Sequence, residues 1–281
     1  MRYRNKLGRA FSEDRVGDAR ADNASLTDAR YWSNVWTAAA HASQTINPNS
    51  RTGRPHYVFL SSALAQSEGS ILEIGCGASR WLPYFDTHFG FSVTGIDYSS
   101  YGCEIASENL KASGVNGRVL ELDAFGPNEH LREQFDVMFS LGVIEHFTDT
   151  VETVRAFARY VKPGGLLISV CPNMVGVVGT AQRTLNQKIY DVHVSLSLEV
   201  LTEAHRNAGL VVEMSVYFGG LDFHILNMLG VSSAWRNLVA RLLMRATKIS
   251  ERYLPISLPQ NRLFSAFLGV SAVKPSVPSV C

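Results

Sequence analysis

Ser70-Ile71-Leu72-Glu73-Ile74-Gly75-Cys76-Gly77-Ala78-Ser79-Arg80 is the stretch whose reading decides the fold. Ile71, Leu72 and Ile74 form a short apolar run, the mark of a strand covered on both faces in a parallel sheet. Gly75-Cys76-Gly77 ends that run. Glycine lets the backbone bend sharply and approach a ligand where a Cβ would clash. A helix beginning near Ser79 would aim free amide N–H groups at that ligand. The stretch therefore predicts the strand, glycine loop and helix that open a nucleotide-binding α/β domain. Glu73 places a charge inside the apolar strand, where it needs a partner. It either braces the glycine loop or meets an amino group on the ligand.

Outward from this stretch, strands and helices alternate. Phe91–Ile96, Arg118–Leu122, Phe135–Phe139 and Leu166–Val170 read as strands, and 98–113 and 149–161 as helices. That alternation implies a parallel, doubly wound sheet. Lys162-Pro163-Gly164-Gly165 is a turn, with proline presetting one φ and glycine supplying others. Residues 173–194 read as a loop region over the site. Ser197 caps a helix that Gly209 stops, and 210–218 and 263–273 are the last strands. The segment 219–262 between them is too long for a simple connection and predicts a helical insertion. Ahead of the sheet, 1–30 reads as a mobile tail or a loosely docked helix. Residues 31–66 form a helical cap of two helices, one carrying Trp32, Val35, Trp36 and Ala39 toward Asn47-Pro48 and one over 55–66. The main domain runs from 67 to 281.

The chemistry gathers at strand ends. Gly75-Cys76-Gly77 alone is a weak signal, and Arg80 stands where a dinucleotide fold places its third glycine. Asp97 closes the second strand twenty residues after Gly77, where an acid can accept both hydroxyls of a ribose. Asp123 closes the third strand, where its carboxylate or the neighbouring amides can meet an adenine amine. Strand four opens into Ser140-Leu141-Gly142-Val143-Ile144-Glu145-His146-Phe147. His146 stands beside that strand end, and His193 precedes the helix capped by Ser197. These are the two candidate catalytic bases.

Five pieces in register resemble the class I S-adenosylmethionine-dependent methyltransferases, in the branch that includes quinone-biosynthesis and other small-molecule enzymes. They are Glu73-Ile74-Gly75-Cys76-Gly77, Gly95-Ile96-Asp97, Leu122-Asp123, Phe135-Asp136-Val137 with Glu145-His146-Phe147, and Lys162-Pro163-Gly164-Gly165. The resemblance spans about residues 68–215. It implies a Rossmann-like sheet in the order 3-2-1-4-5-7-6 with strand seven antiparallel, and S-adenosyl-L-methionine as cofactor. It further implies contacts to the methionine end from Glu73, Gly75, Cys76 and Gly77, to the ribose from Asp97 and Tyr98, and to the adenine from Asp123 and Ala124. Leu141 would lie along the cofactor. Residues 1–66 and 219–262 fall outside the resemblance, and such regions choose the substrate in this family.

Composition sets the remaining bounds. The 281 residues carry 46% hydrophobic and 18% charged side chains and a formal charge of +1, which gives no global reason to expect nucleic acid. No Asn/Asp-Pro-Pro-aromatic follows strand four, where adenine-modifying enzymes place it. Four dispersed cysteines argue against a disulfide framework or a zinc knuckle, and no metal ligand set is expected. The basic N-terminus lacks the apolar core of a signal peptide, and no apolar run is long enough to span a bilayer, so a cytoplasmic protein is expected. Within the insertion, Trp235, Leu238, Val239, Leu242, Leu243, Ala246 and Ile249 fall on one helical face, and Arg241, Arg245, Lys248 and Arg252 on another. The stretch 235–252 is either a lid with a solvated basic side or a surface for a lipid-linked or anionic substrate or a membrane.

The expected reaction is methyl transfer to an oxygen of a small-molecule acceptor, of sugar, polyketide or lipid type. The protein's task is orientation and water exclusion, with His146 or His193 assisting. The rivals are a catalytically silent cofactor-binding or scaffolding protein and a nicotinamide-dependent dehydrogenase, which Arg80 disfavours.

Overall fold

The computed structural model describes residues 23–38, 46–50, 53–253 and 259–276. Among these residues two helices, α1 (Ala29–Ala38) and α2 (Gly53–Ala63), precede the sheet. Then follow β1 (Ser70–Ile74), α3 (Trp81–Phe89), β2 (Ser92–Asp97), α4 (Ser100–Ala112), β3 (Arg118–Glu121), β4 (Phe135–Leu141), α5 (Thr150–Ala158) and β5 (Val161–Pro172). The remaining elements are α6 (Val177–Leu185), α7 (Gln187–Tyr190), α8 (Leu198–Asn207), β6 (Val211–Phe218), α9 (Ala234–Tyr253) and β7 (Phe267–Val273).

The strands form one sheet in the order β3-β2-β1-β4-β5-β7-β6. The first five pair in parallel, and β7 runs antiparallel to both β5 and β6. Period-two alternation divides β1 and β4 between two cores. Leu72 and Met138 join Val154, Phe157 and Leu201 on the α5 and α8 side. Ile71, Val137 and Phe139 join Leu60, Leu82 and Phe85 on the α2 and α3 side. Ile74 lies opposite Ile96 of β2 and Ser140 of β4, so three strands end level. The chain winds outward from β1 in one direction and resumes at β4 in the other. The crevice at that reversal is where open α/β sheets bind ligands.

Several local expectations change. Residues 173–194 are largely helical, as α6 and α7, rather than a loop. The glycines there serve close approach: a Cβ on Gly179 would stand 2.0 Å from the Met174 carbonyl oxygen. The anticipated turn at 162–165 lies within β5. Phe135 faces Val161 while Val137 faces Leu166, so four residues loop out around Gly164 at φ +81°. Of the segment 1–30, residues 1–22 lie outside the described residues, and the part from Asn23 onward is held by hydrogen bonds. Asn23 donates from Nδ2 to Thr153 Oγ1 at 2.9 Å, the Leu26 N–H donates to the His146 carbonyl at 2.8 Å, and Ser25 bridges Phe147. Polar side chains and backbone groups, rather than apolar burial, dock this segment. The first cap helix is described as far as Ala38, and 39–45 lie outside the described residues.

Candidate active site

The glycine loop is held from behind. The Gly75 and Cys76 N–H groups both donate to the Ile96 carbonyl, at 2.9 and 3.1 Å. Gly75 has φ +75°, and a Cβ there would meet Val143 Cγ2 at 2.4 Å. Cys76 turns its side chain into the core, where its Sγ occupies the space a Cβ on Gly95 would need. Of the loop residues expected at a cofactor, Cys76 therefore offers backbone only. Ser79 organises the start of α3. Its hydroxyl accepts from the Trp81 and Leu82 N–H groups, at 3.0 and 3.2 Å, and donates to Glu73 Oε2 at 2.6 Å. Asn109 fixes the Ser79 carbonyl at 2.9 Å. Through its hydrogen bond with Ser79, Glu73 braces the loop's exit into α3. Burial, reinforced by nearby Asp97 and opposed by the Ser79 hydrogen bond, pushes the Glu73 carboxyl up to about 8.

Asp97 stands at the centre of the crevice. Its Oδ2 accepts from the Gly77 N–H at 2.8 Å and its Oδ1 from the Ser99 N–H at 2.7 Å. An ionised carboxylate offers about four acceptor positions, so capacity remains for a ligand's hydroxyls. Burial raises its pKa against those backbone bonds. Two cavities share Asp97, Gly75 and Tyr98 as wall. The larger, about 390 Å³, extends past Asp123, Ala124 and Phe125. The smaller, about 60 Å³, lies among Trp32, Trp36, Leu141, Val143 and His146. Asp123 Oδ1 accepts from the Phe125 N–H at 2.9 Å, which shapes the far end of the larger cavity. Tyr98 is pushed up to about 12, chiefly by burial, and stays a neutral phenol.

His146 and His193, remote in sequence, come together with ring centroids 4.5 Å apart. His146 Nδ1 bonds the Val192 carbonyl at 2.7 Å and His193 Nδ1 the Ile189 carbonyl at 2.6 Å. Carbonyls only accept, so Nδ1 carries the proton in each ring and Nε2 keeps a lone pair. Burial, then the neighbouring His193, drives His146 down to about 3. Burial also lowers His193. His146 lines the smaller cavity, and His193 packs behind it. Glu145 is fully buried, and burial pushes it up to about 7. One ligating atom each from Glu145, His146 and His193 lies within 4.8 Å of the others. This donor set was not anticipated from sequence; two imidazoles and a carboxylate suit a transition ion.

Sequence reasoning missed the aromatic roof. Trp32 and Trp36 stack at 5.5 Å on the underside of α1, and Trp32 sets its edge against His146 at 5.1 Å. The Trp36 indole N–H is buried without a hydrogen-bond partner, and its nitrogen lies 2.5 Å from where a Cβ on Gly77 would stand. The available signal was the i,i+4 spacing of the two tryptophans, which places them on one helical face. An orphaned donor above a glycine cradle, beside a carboxylate with spare acceptor capacity, fits a polar nucleoside ligand such as S-adenosylmethionine.

Residues 71–165 match the family described as methyltransferase domain. Over 95 residues the chain is 37% identical to a ubiquinone biosynthesis O-methyltransferase of Pseudomonas fluorescens, covering 34% of this chain and 40% of that protein. A Pseudomonas putida protein of the same name is 35% identical over the same length. The chain thus spans well under half the length of these relatives. Among solved structures, the YcgJ protein from Bacillus subtilis superposes with a TM-score of 0.55 at 19% identity, over 79% of this chain and 98% of that one. A geranyl diphosphate methyltransferase bound to its diphosphate and sinefungin gives 0.53 at 14%, over 78% and 76%. The [4+2]-cyclase SpnF gives 0.53 at 17%, over 78% and 80%. Residues 71–165 therefore match a methyltransferase domain and are similar there to ubiquinone biosynthesis O-methyltransferases, and the chain shares the fold of these solved structures.

Proposed function

We propose that this chain transfers a methyl group from S-adenosylmethionine to an oxygen of a small, largely apolar metabolite. The observation that carries this reading is the wall shared by the two cavities. Asp97, Gly75 and Tyr98 belong to both, so a ligand whose ribose meets Asp97 has room for its base on one side and a reacting group on the other. Asp97 and Tyr98 would hold the ribose, Asp123 and Ala124 the adenine, and the Gly75 loop with Leu141 the methionine end. When bound, the cofactor supplies an electrophilic methyl carbon. The protein supplies orientation and a dry enclosure, and alignment alone is worth about 7–11 kcal/mol of barrier.

Trp32, Trp36, Leu141 and Phe147 wall the smaller cavity, which favours an acceptor of polyketide or lipid type over a sugar. The relatives named as O-methyltransferases support an oxygen acceptor. His146 contributes as an acceptor of a hydrogen bond from that hydroxyl, through Nε2. A group at about 3 is poorly matched to hold a proton near neutral pH. The hydroxyl's proton therefore passes on to solvent, or the acceptor arrives ionised. His193 orients His146.

Calorimetry with S-adenosylmethionine, its demethylated product and NAD tests the cofactor assignment. Binding of the first two and not the third is expected. NAD binding alone would establish the dehydrogenase, and no binding the scaffold. A host extract incubated with labelled cofactor should then yield a labelled product heavier by one methylene. His146→Ala should lower turnover while leaving cofactor affinity within a few-fold. Unchanged turnover removes His146 from the reaction.

A further inference from the structure

α9 is divided lengthwise into three sectors. Ala240 and Thr247 are buried, and Val239, Leu243 and Met244 pack beside Val178, Phe223 and Leu226 from α6 and the turn after β6. A second row consists of Trp235, Leu238, Leu242 and Ile249, each more than half exposed. At helical pitch these four fall within an arc of about 60°. Alongside that row run Arg241, Arg245 and Lys248, all exposed, and residues 234–249 contain no Asp or Glu. The apolar residues expected on one face are thus split: part anchors the helix and part faces water.

A lid would turn the second row onto the site. Here the helix is already anchored through a different face, which leaves the row directed outward. Water does not favour four large apolar side chains in line. The cations beside them specify the covering surface, since they need phosphate or carboxylate at the depth where the apolar side chains leave water. The whole chain is nearly neutral at +1, so this cationic row reflects placement rather than overall charge. We propose that α9 docks in the plane of an anionic lipid bilayer. Trp235, Leu238, Leu242 and Ile249 enter the acyl boundary, and Arg241, Arg245 and Lys248 meet headgroup phosphates. Trp at the end of the row suits the headgroup level.

The test is co-sedimentation of the full chain with vesicles of phosphatidylcholine alone or mixed with phosphatidylglycerol. The chain should pellet with the mixed vesicles only, and added salt should release it. Each cation is worth about fivefold in affinity (about 1 kcal/mol), so Arg241→Gln, Arg245→Gln and Lys248→Gln together should cost roughly a hundredfold. Leu238→Glu with Leu242→Glu should abolish binding while circular dichroism and S-adenosylmethionine affinity stay unchanged. Failure of the parent chain to pellet with either vesicle overturns the proposal, as does pelleting that the glutamate pair leaves intact. Absence of vesicle binding together with self-association that Leu242→Glu disrupts would give the surface to a second copy of the chain instead.

Discussion

Glu73→Gln isolates the brace beneath the glycine loop. Glutamine is the neutral isostere of the protonated acid, and its carbonyl can still accept the Ser79 hydroxyl. In the folded chain the Glu73 carboxyl is raised from 4.5 to about 8 by burial. Between those limits the folded state holds a proton that the unfolded state has released, so stability falls as pH rises. One such proton sets a slope of about 1.4 kcal/mol per pH unit. The full interval amounts to about 4–5 kcal/mol, lost by pH 8 and above. Glu145, raised to about 7, contributes in both proteins and cancels in their difference. Urea unfolding of parent and variant between pH 5 and 9 measures that difference directly. The variant should gain on the parent steadily through this range and level off above about pH 8. A difference that stays flat across the range means that Glu73 titrates like an exposed carboxylate, and the reading of the brace as a buried acid is wrong.

Asp97→Ala strands the Gly77 and Ser99 N–H groups, at about 1–3 kcal/mol each, and removes the proposed ribose acceptor. Calorimetry should show cofactor affinity down at least about a hundredfold, whereas undiminished binding would move the ribose elsewhere. Ala78 sits at φ +54°, a conformation that costs a side chain about 1–2 kcal/mol. After the entropy that glycine loses on folding, Ala78→Gly should raise stability by up to about 1 kcal/mol, and a fall in the melting midpoint contradicts this. Catalysis by the imidazoles themselves predicts that turnover survives exhaustive dialysis against EDTA. Turnover that vanishes and returns with Zn²⁺ transfers the role to an ion held by Glu145, His146 and His193.

The sheet was legible because its signals are local. Ile71–Ile74, the acids at Asp97 and Asp123, and the cap at Ser197 each declare themselves within a few residues. The site was legible where it sits on strand ends, since topology then fixes which ends meet. The roof was not, because Trp32 and Trp36 belong to a helix whose docking depends on residues far along the chain. Segment 173–194 reads as a loop from sequence because Gly176 and Gly179 resemble loop residues, although the second lies inside α6 and permits contact with Met174. The approach of His193 to His146 follows from the path of α7, which no spacing encodes.

The placement of β7 between β5 and β6 has a kinetic consequence. During synthesis β5 is complete at residue 172, yet its outer neighbour does not exist until residues 267–273 have been made. Throughout that delay the nascent sheet carries a bare hydrogen-bonding edge, the kind that invites pairing with the wrong chain. Production of this protein should therefore respond to translation speed and chaperone supply downstream of β5. Fragments that stop short of Phe267 should aggregate rather than fold as a smaller sheet.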